Sequence, residues 1–152
     1  MSKNYKKILV AIDGSEQAEG ALKEAIVLAK RDNSQLFILH ATDKNSIYAV
    51  GNPVPVVPAP AIPVVPVLEE SADNEAKEVL DKALAIINNE VKFEEIRVDG
   101  SAKNEIVDFA KEHEIDMIVM GSSGKGALDR MLLGSTAVYV VKHAPCSVTI
   151  IK

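Results

Sequence analysis

Short, almost purely aliphatic runs alternate along the chain with longer stretches in which apolar residues return every third or fourth position. Residues 6–13, KKILVAID, pass from two lysines into Ile, Leu and Val and stop at Asp-Gly-Ser, which predicts a strand closed by a turn. Over 15–31, Ala18, Leu22, Ala25 and Ala29 recur while Glu19, Lys23, Glu24 and Lys30 keep a wet face, the pattern of an amphipathic helix. Residues 35–41, QLFILHA, are apolar without alternation, as a strand buried on both faces of a parallel sheet should be. A helix follows over 69–89 through Ala72, Ala76, Val79, Leu80, Ala83, Leu84 and Ile87, with acids gathered in its first turns. Beyond it the pattern predicts a strand over 93–98, a helix over 101–114 opened by Gly100 and Ser101, and a strand over 115–120. A shorter helix over 134–143 stops before Pro145, and a last strand occupies 147–151.

Strands that alternate with helices imply right-handed crossovers and an open five-stranded parallel sheet with helices on both faces, a Rossmann-like α/β fold. Ligands of such sheets bind beyond the strand C-termini where the strand order reverses. Two orders meet the pattern. In 3-2-1-4-5 Asp13 joins the loop after strand 4, and in 2-1-3-4-5 it joins Asp99. One segment interrupts the alternation: Pro53, Pro55, Pro58, Pro60, Pro63 and Pro66 are six of the seven prolines in the chain. At about 43–68 they predict an extended loop that covers apolar surface or reaches toward a partner, and they exclude a helix or a central strand there.

With 152 residues, 47% of them hydrophobic and 26% charged, the chain has the size and composition of a single globular domain, taken here as 1–152. No apolar run approaches the about 20 residues of a membrane helix, and the start lacks a secretory leader, so neither membrane insertion nor secretion is expected. Cys146 is the one cysteine, which precludes an internal disulfide and fits a cytoplasmic setting. A formal charge of -5 without a Lys/Arg block argues against nucleic acid as a partner. His40, His113 and His143 are too scattered for a zinc site, and Cys146 at the start of a buried strand reads as structural.

The chemistry concentrates in 121–136, GSSGKGALDRMLLGST. Gly121 and Gly124 follow strand 4. Gly121 is expected to turn the chain through a conformation barred to other residues, and Gly124, without a Cβ, to let backbone N–H groups approach a polyphosphate. Gly134, Ser135 and Thr136 open the next helix and would offer unpaired amides and two hydroxyls to the same anion. Lys125 and Arg130 either add local positive potential or are solvated loop cations. Ser122 and Ser123 offer hydroxyls, although loop serines more often face water. The run is neither a Walker P-loop nor a G-x-G-x-x-G fingerprint, since position 129 is aspartate.

This glycine pattern, G-x2-G-x9-G-[ST] at Gly121, Gly124, Gly134 and Ser135, resembles the nucleotide-binding branch of the universal stress protein family. The likeness runs from KILVAIDGSEQAEGAL to DMIVMGSSGKGALDRMLLGSTAVYVVKHAPCSVTII and thins in the proline-rich insert. It implies the 3-2-1-4-5 order, a homodimer, and ATP as ligand. Carried onto this chain, the resemblance places Gly121, Gly124, Gly134, Ser135 and Thr136 around the phosphates, and the loop's own Ser123 and Lys125 join them as candidates. It places Asp13 against the ribose or base beside Ile12, with Ala11, Ala41 and Met120 along the adenine. For Asp13 an Asx turn is the competing role, and for Met120 plain core packing. A carboxylate near phosphates implies Mg2+ or Mn2+ bound through the phosphates.

The expected function is therefore an ATP-binding stress or signalling dimer that acts by binding. The alternatives are a slow metal-assisted ATPase, for which no general base is visible, and a nucleotide-free dimer that recruits a partner through the proline-rich loop. Strand 5 has no following helix and lies at an edge in the 3-2-1-4-5 order. Pairing with its copy through Val148 and Ile150 would cover that edge.

Overall fold

Burial follows the two periods carried by the sequence. In the computed structural model, which describes residues 3–43, 64–124 and 132–152, the elements are β1 (Lys7–Ala11), α1 (Glu16–Asp32), β2 (Gln35–Thr42), α2 (Val64–Ile87), β3 (Phe93–Asp99), α3 (Ala102–Glu112), β4 (Met117–Gly121), α4 (Ser135–His143) and β5 (Ser147–Ile151). The strands pair in parallel as one five-stranded sheet in the order β3-β2-β1-β4-β5.

Alternate residues of each central strand enter opposite cores, as the pleat requires. Ile8, Val10, Leu36, Ile38 and Val119 pack under α1 and α2 with Ala18, Leu22, Ala25 and Leu80. Leu9, Phe37, Leu39, Ile118 and Met120 pack under α3 and α4 with Ile106, Phe109 and Val140. Ile8, Leu36 and Ile38 are completely buried, and each such side chain stabilises the fold by about 1.5–3 kcal/mol relative to exposure. Small residues on α1 (Ala18, Ala21, Ala25, Ala29) let that helix lie close to the sheet.

The N-terminal edges of the central strands are tied by carboxylates. Asp116 Oδ2 accepts from the backbone N–H of both Lys6 and Lys7 at 2.9 Å. Asp32 Oδ2, at the end of α1, accepts from Tyr5 N–H at 3.0 Å. The Arg31 side-chain hydrogen bond, followed by the one from the Tyr5 backbone N–H, holds the Asp32 carboxyl down at about 2.

Helix α2 departs from expectation at both ends. It begins at Val64, so 64–68 is helical although that stretch was expected to be loop. Pro66 is its third residue, where a backbone N–H has no intrahelical partner and its absence costs nothing. It ends at Ile87 because Asn88 and Asn89 take left-handed φ values of 48° and 57°. The rest of the proline-rich segment, 44–63, lies outside the described residues.

Candidate functional site

Helices α1 and α2 cover one face of the sheet and α3 and α4 the other, so the winding reverses between β1 and β4, which are neighbours. At the C-terminal ends of these strands lies a cavity of about 420 Å³, at the position where such folds take ligands. Ala11, Ile12 and Asp13 at the end of β1, Ala41 of β2, Met120 and Gly121 of β4, Ser123 and Gly124 of the loop, and Gly134, Ser135 and Thr136 at the start of α4 all line it. Lys125 and Arg130 lie outside the described residues. Positions 121 and 134 are brought together directly: the Gly134 N–H donates to Ser122 O at 2.7 Å.

That contact changes the role expected of Gly134. Its amide closes the loop internally, so the first-turn amides of α4 left beside the cavity begin at Ser135. Gly134 is the N-cap residue and makes no side-chain capping bond. A Cβ on Gly134 would stand 3.2 Å from Ser122 O, tight against the same loop.

Gly121 is also corrected. Among the described glycines the left-handed region holds Gly14 and Gly100, not Gly121. Glycine is required at 121 because β4 ends against α1: a Cβ there would lie 2.6 Å from Gln17 Cβ and 3.0 Å from the Gln17 carbonyl carbon. Gly124 does mark a close approach, since a Cβ on it would lie 2.8 Å from Asp13 Oδ2.

Asp13 forms the expected Asx turn and lines the cavity as well. Its Oδ1 accepts from Ser15 N–H at 2.9 Å, Ser15 Oγ in turn accepts from Ala18 N–H at 3.1 Å, and Gly14 bridges them with φ +84°. Asp13 is the one ionisable side chain among the described lining residues. The serines after β4 are buried rather than wet, Ser122 at 4% and Ser123 at 6% exposure. Ser122 N–H donates to Ile151 O of β5 at 2.8 Å. Ser123 Oγ is buried and has no hydrogen-bond partner among the described residues, a state that folded proteins rarely leave unexplained.

The apolar half of the cavity is wider than the sequence reveals. Ala102 and Ile106 of α3 and Leu39 of β2 line it, yet each belongs to an apolar stripe that periodicity assigns to the core. Ser15, Ala18 and Ala137 complete the wall where α1 and α4 start. The arrangement pairs apolar room for a flat ring with neutral donors and hydroxyls for an anion. A second depression, of about 510 Å³, opens between α2 and β3, but its Arg97 faces Asp73 at 3.6 Å, so part of its charge is matched internally.

The other reactive types stand apart. His113 stacks on Phe109 at 3.9 Å between ring centroids. Burial, followed by the nearby Asp116 charge, pushes the Cys146 thiol up. Among the described residues no three His, Cys, Asp or Glu side chains converge as metal ligands, and no helix is long and apolar enough to cross a membrane.

Residues 4–152 match the sequence profile of the universal stress protein family. A universal stress protein of Methanocaldococcus jannaschii is 35% identical over 149 residues, 97% of this chain and 82% of that protein. Among solved structures, the universal stress protein UspA from Lactobacillus plantarum is 33% identical, with a TM-score of 0.79 over 99% of this chain and 100% of its own. The universal stress protein from Archaeoglobus fulgidus in complex with dAMP is 27% identical, with a TM-score of 0.68 over 99% of this chain and 100% of its own.

Proposed function

The chain belongs to the universal stress protein family, and from that premise we propose that its cavity binds an adenine nucleotide, ATP, and that the protein acts in the cytoplasm as a nucleotide-dependent stress or signalling dimer. The observation that carries the reading is the start of α4, whose N-cap residue supplies no capping side chain, beside a Ser123 hydroxyl that is buried and unpartnered among the described residues. Amides at a helix N-terminus and a buried hydroxyl without a partner are satisfied together by phosphate oxygens. The dAMP complex of the Archaeoglobus fulgidus relative supports the adenine nucleotide, and the glycine pattern supports the triphosphate.

In this reading the phosphates lie on Ser123, Gly124, Ser135 and Thr136, while Gly121 and Gly134 shape the cradle by their close packing on Gln17 and Ser122. The ribose hydroxyls donate to Asp13. The base lies where Ala11 and Ala41 leave space against Ile12 and Met120. Lys125 adds positive potential from the following loop. A cavity of about 420 Å³ falls within the roughly 300–1,000 Å³ of small-molecule sites. One carboxylate beside phosphate oxygens fits Mg2+ or Mn2+, which keep several waters and need few protein ligands. Such an ion would neutralise phosphate charge next to Asp13.

The two sheet edges support the dimer. Edge strand β3 presents Glu94, Glu95, Arg97 and Asp99, charges that oppose strand addition, whereas Ser147–Ile151 of β5 carries none. We place the subunit contact on β5, with Val148 and Ile150 packing across it and residues 1–152 acting as one domain. A light-scattering mass near 16.3 kDa at micromolar concentration would remove the dimer from the proposal.

The ligand is tested by native mass spectrometry of protein purified without added nucleotide, followed by calorimetric titration with ATP and GTP. Retained adenine nucleotide, or saturable binding of ATP in preference to GTP, is expected. Neither result would mean that the cavity serves another ligand. Single-turnover phosphate release by the ATP-loaded protein distinguishes hydrolysis from binding alone.

A further inference from the structure

His40 is the histidine nearest the cavity, yet the nucleotide reading gives it no role. It lies on β2, two residues beyond Ile38, and its side chain therefore points to the α1 and α2 face, opposite the face to which Leu39 and Ala41 contribute. It is 9% exposed. Its Nδ1 stands 2.9 Å from Ile12 O. A carbonyl only accepts, so Nδ1 carries the hydrogen and donates. Ile12 N–H donates in turn to Leu39 O at 3.0 Å. The peptide groups on either side of Ile12 are thus both held by β2, one by its backbone and one by the His40 ring.

Beyond this point β1 has ended and sheet pairing no longer directs the chain. The Ile12 carbonyl belongs to the peptide that leads into Asp13, whose carboxylate closes the turn onto Ser15. A planar peptide fixed at its oxygen is fixed as a unit. We propose that His40 is a positioning residue for the nucleotide site: by holding the Ile12 carbonyl it sets the plane from which Asp13 enters the cavity. The inference rests on the cavity being the nucleotide site. It adds a residue on the opposite sheet face that never touches the ligand.

Three variants separate positioning from simple packing. The side-chain nitrogen of Asn, two bonds from Cβ, occupies the place of Nδ1, whereas that of Gln occupies the place of Nε2. His40→Leu keeps apolar bulk and removes the donor. Calorimetric titration with ATP and Mg2+ should show affinity falling about tenfold for His40→Leu and similarly for His40→Gln, while His40→Asn stays within about threefold of the parent. A packing role ranks them otherwise, because Asn leaves the largest void and Leu the smallest, and thermal unfolding should follow that second order. A second readout needs no nucleotide. Amide hydrogen exchange at Ile12 and Ser15 in the free protein should accelerate in His40→Leu and remain near the parent rate in His40→Asn. Equal affinity losses for Leu and Asn, or unchanged exchange at both amides in His40→Leu, would overturn the assignment. If the parent protein binds no ATP, the site reading fails while the exchange rates still decide whether His40 holds the turn.

Discussion

Helices α1 and α4 both start at the cavity, but they are finished differently. The start of α1 is closed by its own sequence. Ser15 caps Ala18 N–H, Asp13 takes Ser15 N–H, and Glu16 and Glu19 add negative charge to the first turn. At the start of α4 the N-cap residue makes no side-chain cap and the first turn holds no acid, while Lys142 and His143 stand at its far end. A helix N-terminus carries roughly half a positive charge. At α1 that charge meets carboxylates within the chain, and at α4 the proposed nucleotide would supply the matching anion. The contrast separates two neighbouring helix ends, one finished as wall by its own side chains and one that the proposed function makes the seat of the ligand.

The strongest way to break the comparison is to force the two ends apart. Gly121→Val drives a side chain into Gln17 of α1. Overpacking of this kind costs about 1–3 kcal/mol, so we expect a fall of several degrees in thermal unfolding together with loss of ATP binding. Gly124→Val acts on the seat alone. Its Cβ meets the Asp13 carboxylate, and calorimetry should show affinity at least tenfold weaker, about 1.4 kcal/mol. The two serines then sharpen the contrast. Ser15→Ala removes the α1 cap and should cost about 0.5–2 kcal/mol of stability, with nucleotide affinity changed less than about threefold. Ser135→Ala should do the reverse. It should lose about 0.5–1.5 kcal/mol of binding, since one hydroxyl bond goes and the helix amides remain, with chemical denaturation unmoved.

The smallest effect is expected at the other end of α1. Asp32 has its carboxyl held at about 2 against an ordinary 3.8, first by the Arg31 side chain and then by Tyr5 N–H. As pH falls between these values the unfolded chain takes up the proton first, so the stability from this carboxylate, complete above about pH 5, declines toward pH 2. Denaturation at several pH values should show the parent and Asp32→Asn converging over that window. Nucleotide affinity at neutral pH should be equal in the two.

Much of this was legible in the chain because it is local. The Asp-Gly-Ser turn, Asp13 in an Asx turn and the strand-helix alternation depend on neighbours within a few residues, where spacing and turn chemistry suffice. The glycine spacing likewise pointed to the loop and helix start that line the cavity. What escaped was set by distant partners. Gly121 is glycine because of Gln17, more than a hundred positions away, and the Gly134 amide is occupied by Ser122 across the loop. Ala102 and Ile106 line the cavity from α3, but an apolar helix face looks the same whether it meets the sheet or a ligand. The strand order required the family resemblance, since periodicity cannot choose between two windings of one alternation. The early start of α2 escaped because prolines that end a helix interior are admitted in its first turn.

The central claim, that the phosphates of an adenine nucleotide sit on the open start of α4, is tested most directly by backbone amide NMR during titration with ATP and Mg2+. The account predicts the largest saturable shifts at Gly124, Ser135 and Thr136, with Ser15 and Ala18 moving little. Shifts concentrated at the start of α1, or ATP saturation that leaves Ser135 and Thr136 unmoved, would contradict it.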